Sequence, residues 1–303
     1  MRYLLFCFYF FFSSLGIAAD CEIADKQICE RATQGDISAQ YRLGRMYIDG
    51  EGVRQDYAKA KTWLLKPAAQ GNADAQFALG LIFYYGVDGL MDHEQAKVWF
   101  EKSAEQENPG AQYILGLMYF YDNEKDANYA KAKKWFEKSA NQGFSAAQHQ
   151  LGIMYAEGKG VGQDYKKAKE WHEKAAIQEN ADAQLSLGWM YAAGKGVRQD
   201  NKQAKEWFEK SAVHGNANAQ FRLGLMYAAG KGVRQDNKQA KEWFEKAAIQ
   251  ENADAQLSLG WMYAAGKGVR QDNKQAKEWF GKSCDNGNQD GCDRYRDLNE
   301  RGL

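Results

Sequence analysis

The chain has 303 residues, 45% hydrophobic and 26% charged, a balance that excludes wholesale disorder. Forty Lys and Arg face forty Asp and Glu, so no net field draws the protein to nucleic acid or to an acidic membrane surface. Two prolines exclude Pro-rich linkers, while nine Trp and seventeen Tyr demand burial or a binding face.

The first residues read as an address. Met1-Arg2 is a minimal basic start, Tyr3 to Phe12 is almost unbroken apolar sequence, and Ser13 to Ala19 ends in small residues. That layout predicts a signal peptide over 1–19, cut after Ala19, and a secreted or periplasmic mature chain. The apolar run is shorter than the roughly 20 residues that span a bilayer. A retained N-terminal anchor is the alternative. Lipid on Cys21 is disfavoured by Asp20, which stands where a small residue is wanted. No later stretch is apolar enough to cross a membrane, so the mature chain is expected not to span one. Beyond Cys7 in the leader, the cysteines form two pairs of equal spacing, Cys21/Cys29 and Cys284/Cys292, at opposite ends of the chain. An oxidising compartment favours disulfides there.

From Asp36 onward the sequence is periodic. Ala39-Gln40 followed by Leu43-Gly44 returns at Ala75, Ala111, Ala147, Ala183, Ala219 and Ala255, each 36 residues on. Trp63, Trp99, Trp135, Trp171, Trp207, Trp243 and Trp279 keep the same interval. Ile177–Phe208 recurs unchanged at Ile249–Phe280, which suggests duplication inside the gene. A fixed period of this size predicts an all-α protein, an α/α solenoid of seven helix-turn-helix repeats. The repeats run 36–71, 72–107, 108–143, 144–179, 180–215, 216–251 and 252–287, between capping segments 20–35 and 288–303.

In each repeat the first helix carries A-Q-x-x-L-G-x-M-Y, as at Ala219, Gln220, Leu223, Gly224, Met226 and Tyr227. Its apolar residues fall on one helical face. A glycine returning inside every first helix costs about 1 kcal/mol against alanine, which predicts a helix–helix approach that a Cβ would block. Gly230 and Gly232 then turn the chain, and Asp236 with Gln239 predicts a capping box, as do Asp92/Gln95, Asp200/Gln203 and Asp272/Gln275. The second helix places Ala240, Trp243, Phe244, Ala247 and Ala248 on a core stripe. Pro109 falls at a helix start, where it is harmless. Pro67 falls late in a second helix and predicts a kink or a shortened helix.

The period, A-Q-x-x-L-G-x-M-Y, G-x-G-V-x-Q-D and K-A-x-x-W-F resemble the Sel1-like repeat, a relative of the tetratricopeptide repeat, over nearly the whole mature chain. Repeats two and three depart from it in their loops, Gly86 to Asp92 and Asp122 to Asn128, which keep their length but leave the turn conformation open. The terminal cysteines are similar to those of Sel1-like Helicobacter cysteine-rich proteins, in which cysteines eight apart join neighbouring helices. A bridge between Cys284 and Cys292 suits that helix-turn-helix geometry. Cys21 and Cys29 align with a single second helix, where eight residues span roughly 12 Å, too far for a disulfide. Either the chain turns near Ile23–Lys26 or these two do not pair. Free buried thiols are the alternative for both pairs.

No catalytic, cofactor-binding or metal-ligating residue is assigned. His93, His149, His172 and His214 occupy unrelated repeat positions, and no C-x-x-C, zinc-helix, P-loop or nucleophile-elbow pattern is present. Some Helicobacter relatives are penicillin-binding or weakly penicillin-hydrolysing, but that resemblance transfers no residue to this chain. Binding is the stronger expectation. In two-helix solenoids the first helices line the concave surface. With Leu43, Gly44 and Tyr47 pointing inward, three rows are left on the open side. One reads Tyr41, Phe77, Tyr113, His149, Leu185, Phe221 and Leu257; the next Arg45, Leu81, Leu117, Ile153, Trp189, Leu225 and Trp261; the third Ile48, Tyr84, Phe120 and then four alanines. The candidate partner-binding residues are Tyr41, Phe77, Tyr84, Tyr113, Phe120, Trp189, Phe221 and Trp261, unless these rows only pack adjacent first helices together. The expected function is an exported interaction scaffold for a protein or extended peptide. The alternatives are a weak β-lactamase or penicillin-binding envelope protein, and a secreted effector or adhesin.

Overall fold

A computed structural model describes residues 25–86, 90–121 and 127–302. The leader, its cut and Cys21 lie outside the described residues, as do parts of the two atypical loops. Among the described residues there are sixteen helices and no strand, the all-α solenoid architecture. The chain divides into two compact units, with the division between Leu115 and Gly116. The first holds α1 (Lys26–Thr33), α2 (Ile37–Asp49), α3 (Tyr57–Ala69), α4 (Ala73–Tyr85), α5 (His93–Glu105) and the start of α6 (Pro109–Tyr121). The second continues through α7 (Ala127–Asn141), α8 (Ser145–Glu157), α9 (Tyr165–Ile177), α10 (Ala181–Ala193) and α11 (Asn201–Val213). It ends with α12 (Ala217–Ala229), α13 (Asn237–Ile249), α14 (Ala253–Ala265), α15 (Asn273–Asp285) and α16 (Gln289–Glu300). From α2 to α15, even-numbered helices are the first of each repeat and odd-numbered ones the second.

Local chemistry sets the ends of these helices. Asp56, Asp92, Asp164, Asp200, Asp236 and Asp272 each accept a backbone N–H at the start of a second helix. Asn72, Asn180, Asn216 and Asn252 do the same for first helices. Each such cap is worth about 1 kcal/mol. Only half of the predicted capping box forms in the last three repeats. The Gln203, Gln239 and Gln275 amides turn away from the cap backbone and donate to Glu206, Glu242 and Glu278 one turn on. Gly194, Gly230 and Gly266 end first helices in the left-handed conformation. The next loop glycine, as at Gly232 (φ 72°), lies against the Asn201 backbone of the preceding repeat. In the Gln-Glu-Asn turns, Glu107, Glu179 and Glu251 take φ of 64°, 61° and 61°, where the other repeats have glycine. Pro67 does not shorten its helix. It sits in the last turn of α3, which still spans 13 residues, so only one late backbone bond is forgone.

Each repeat packs its two helices through the glycine of the first. A Cβ on Gly224 would lie 2.5 Å from the Phe244 ring, and one on Gly80 would lie 2.5 Å from Phe100. Leu43, Leu79, Leu151, Leu187, Leu223 and Leu259 are fully buried beside these contacts. The periodic tryptophans are half-buried on the second helices, and from the second repeat on a lysine one turn later lies over the ring, as Lys210 does over Trp207 at 4.1 Å.

Polar ties of fixed spacing link each repeat to the one before it and close most repeats on themselves. The buried Gln of each A-Q pair donates Nε2 to an alanine carbonyl eight residues earlier, as from Gln76 to Ala68 at 2.9 Å and from Gln220 to Ala212 at 3.2 Å. In repeats two, four, six and seven its Oε1 also accepts from an amide 30 residues later, as Gln148 does from Gln178 at 2.8 Å and Gln220 from Gln250 at 2.8 Å. Ser103, Ser211 and Ser283 donate Oγ to carbonyls 30 residues earlier. The tie is incomplete at Gln40, although Gln70 stands 30 positions on, and at Gln184. The residue 30 positions after Gln184 is His214, exposed at the end of α11, and the buried Gln184 Oε1 finds no donor among the described residues. Replacing His214 by Gln supplies the amide that completes the tie in repeats two, four and six. His214→Gln is expected to raise stability to chemical denaturation by about 1 kcal/mol. No gain would mean that Gln184 Oε1 is already satisfied.

Candidate interaction face

The contacts above turn the glycine side of every first helix inward and leave its opposite side outward. In the second unit that outward side carries Trp189 of α10 and Trp261 of α14, 40% and 45% exposed. Each indole meets the core by one edge, Trp189 on Phe208 at 6.1 Å and Trp261 on Phe280 at 5.5 Å between centroids. A guanidinium covers each ring: Arg222 lies 3.9 Å from the Trp189 centroid, and Arg294 lies 4.7 Å from that of Trp261. Beside the first stack is a groove of about 460 Å³ between α10 and α12, lined by Trp189, Ala192, Ala193, Leu225, Met226 and Ala229 with Gln199, Asn201, Arg222 and Lys231. Burial pulls the Arg222 guanidinium down from its usual pKa, and Asp254 opposes this only in part.

The other sequence-selected residues are distributed differently. Phe120 and Phe221 are buried rather than open. Phe120 packs on Tyr129 and Phe136 at 5.3 and 6.2 Å, and Phe221 lies 5.8 Å from Phe244. Tyr41, Phe77, Tyr84 and Tyr113 are half-buried; Tyr41 flanks the N-terminal core, Phe77 packs on Phe100 and Tyr84 on His93. The row that starts at Tyr41 is thus half-buried or buried throughout, while the row containing Trp189 and Trp261 is half-buried except at those two rings and Arg45, which are exposed.

Two features were not anticipated. The first joins two histidines that the sequence reading kept apart. His149 of α8 and His172 of α9 meet with their Nδ1 atoms 3.2 Å apart. They stand where repeats two and six place the ring pairs Phe77/Phe100 and Phe221/Phe244, so the 23-residue offset was the available signal. Burial, and then the neighbouring imidazole, pushes His172 down to about 3; burial also lowers His149 against the opposing charge of Asp182. No group of three or more potential metal ligands occurs among the described residues. The second is an exposed aliphatic row at the ends of α9, α11 and α13, Ile177, Val213 and Ile249, beside the strained Glu179 and Glu251. Glu105, Asn141 and Asp285 hold the same position in other repeats, so comparing second helices across repeats would have found it.

Cys284 and Cys292 form a disulfide, with Cα atoms 4.5 Å apart, that ties α16 to α15. Cys29 is buried in α1, and its pairing with Cys21 falls outside the described residues. No helix among the described residues is long and apolar enough to cross a membrane.

The chain belongs to the Sel1 repeat family. The family described as Sel1 repeat matches seven consecutive segments, 37–72, 73–108, 109–144, 145–180, 181–216, 217–252 and 253–288. Sel1 repeat proteins are generally protein-interaction scaffolds. Among solved structures, c5321, a protective antigen present in uropathogenic Escherichia coli strains and displaying an SLR fold, is 36% identical with a TM-score of 0.78. The match covers 92% of this chain and 60% of the E. coli protein, so the chain spans about three fifths of that relative. A Sel1 repeat protein from Oxalobacter formigenes is also 36% identical, with a TM-score of 0.75, over 90% of this chain and 80% of its own. Helicobacter pylori cysteine rich protein B is 33% identical over 43% of this chain and 93% of its own, with a TM-score of 0.35. No curated protein matches the chain.

The histidine pair makes stability depend on acidity. A folded state that holds both imidazoles neutral binds fewer protons than the unfolded chain below the ordinary histidine pKa of 6.5. The pair's contribution is therefore complete above pH 6.5 and is lost as pH falls from there toward about 3. The loss is at most about 1.4 kcal/mol per pH unit for each imidazole. His149→Leu with His172→Phe, the residues of repeat five, should flatten the pH dependence of urea unfolding across that window relative to the native chain. Equal slopes for both proteins would show that the pair takes up protons freely when folded.

Proposed function

We propose that this protein is an exported scaffold that binds a protein or an extended peptide segment on the outward face of its first helices, centred on Trp189 and Trp261. The observation that carries this reading is the pair of large aromatic rings left well exposed on a face whose other apolar rows are mostly covered. Aromatic side chains with an apolar body and a polar edge are the favoured anchors of protein interfaces. Export is supported by the leader-like first nineteen residues and by the Cys284–Cys292 bridge, which persists in an oxidising compartment.

The test is a crosslinking pull-down of the mature chain from an envelope extract, beside a Trp189→Ala, Trp261→Ala variant of unchanged helicity. A partner captured by the native chain and lost by the variant is the expected result. Equal capture by both would place binding elsewhere, and no capture would remove the scaffold reading.

A further inference from the structure

The two Trp–Arg stacks are the same contact repeated two repeats apart, each with the arginine 33 residues after its tryptophan. Four arginines pair with a carboxylate on or next to their own helix, Arg31 with Asp36, Arg45 with Asp49, Arg296 with Asp293 and Arg301 with Asp297, whereas Arg222 and Arg294 are the two held over an indole. Arg222 and Arg294 have no ion pair to a carboxylate among the described residues. Along α12 the residues one turn before and after Arg222 are Asn218, Leu225 and Met226, so its own helix supplies no acid. Asp254, the acid whose charge Arg222 feels, is engaged by the Asn288 amide at 2.8 Å.

The groove beside Arg222 therefore has a definite character. Its wall is apolar through Trp189, Ala193, Leu225 and Ala229. Its charges are both positive, Arg222 and Lys231, and no carboxylate lines it. Arg222 is held 3.9 Å from the Trp189 centroid at the rim of this groove, and a guanidinium recognises a carboxylate with two parallel hydrogen bonds. A basic segment would be repelled there, and a neutral one would offer only uncharged carbonyls in place of the charge-assisted pair. An acidic one would satisfy the guanidinium while its apolar neighbour covers the tryptophan face.

We propose that the partner segment carries an Asp or Glu side chain next to an apolar side chain. The carboxylate docks on Arg222 and the apolar side chain fills the groove between Trp189 and Leu225. This rests on the binding face proposed above and adds the chemistry of its occupant.

A random dodecapeptide display library is selected on the full mature chain. Enriched peptides are then synthesised with their Asp and Glu side chains intact or replaced by Asn and Gln. Their affinities are measured by fluorescence polarisation on the native chain, on Arg222→Gln with Arg294→Gln, and on Trp189→Ala with Trp261→Ala, each checked for helicity. Enriched peptides should hold an acid beside an apolar residue. The amide peptides and the arginine variant should each weaken binding about tenfold, and the two changes together should cost little more than either alone. Binding that is lost in the tryptophan variant yet indifferent to the carboxylate and to the arginines would overturn this inference and leave the binding face standing. Enrichment of basic peptides, or of none, would also overturn it.

Discussion

One missing methyl per repeat governs this molecule. The glycine at the centre of each first helix lies against a second-helix side chain that leaves no room for a Cβ: Leu64 in the first repeat, His172 in the fourth and phenylalanine in the other five. Glycine costs such a helix about 1 kcal/mol, and burying a phenylalanine against it returns about 1.5–3 kcal/mol. The contact also fixes rotation about the helix axis. Once Gly188 faces Phe208, Trp189 is carried to the outside of α10; Gly260 against Phe280 does the same for Trp261. The interaction face is thus a geometric consequence of the core.

The polar ties turn that local choice into a repeating one. A buried Gln bonded eight residues back, to the preceding repeat, and 30 residues ahead, within its own, recurs at the same register. Equivalent positions then form rows, and a row is free to vary wherever the register does not use it. This is why the second unit can carry tryptophan, isoleucine and leucine at one outward position of the first helix and isoleucine or valine at the end of the second. It is also why single departures stand out. His214 leaves a glutamine oxygen without its donor, and His149 with His172 replaces an aromatic contact by one sensitive to protons.

The sequence made the architecture legible because every element is written seven times. Helix pairing, the caps and the close approach at glycine all follow from the period together with residue chemistry. The outward face was legible only in part. A helical wheel separates inside from outside by one helix's own geometry, and by that measure Phe120 and Phe221 lie on the open side. They are covered because second-helix rings reach up to them, Phe136 and Tyr129 for one and Phe244 for the other. The same reach brings His149 onto His172. Pro67 shows the opposite case: a residue that predicts a disturbed helix is absorbed because it falls in the last turn.

What separates Trp189 and Trp261 from those covered rings is that the core does not need them. Leu225 holds the same position in repeat six, where the same Gly–Phe contact and the same glutamine tie are intact. Urea unfolding of Trp189→Leu and Trp261→Leu beside Phe208→Ala measures this directly. Each tryptophan replacement should lower stability by less than about 1 kcal/mol, against about 3–5 kcal/mol for Phe208→Ala. A loss at Trp189 or Trp261 as large as that at Phe208 would contradict the separation of face from core, because the tryptophans would then be structural.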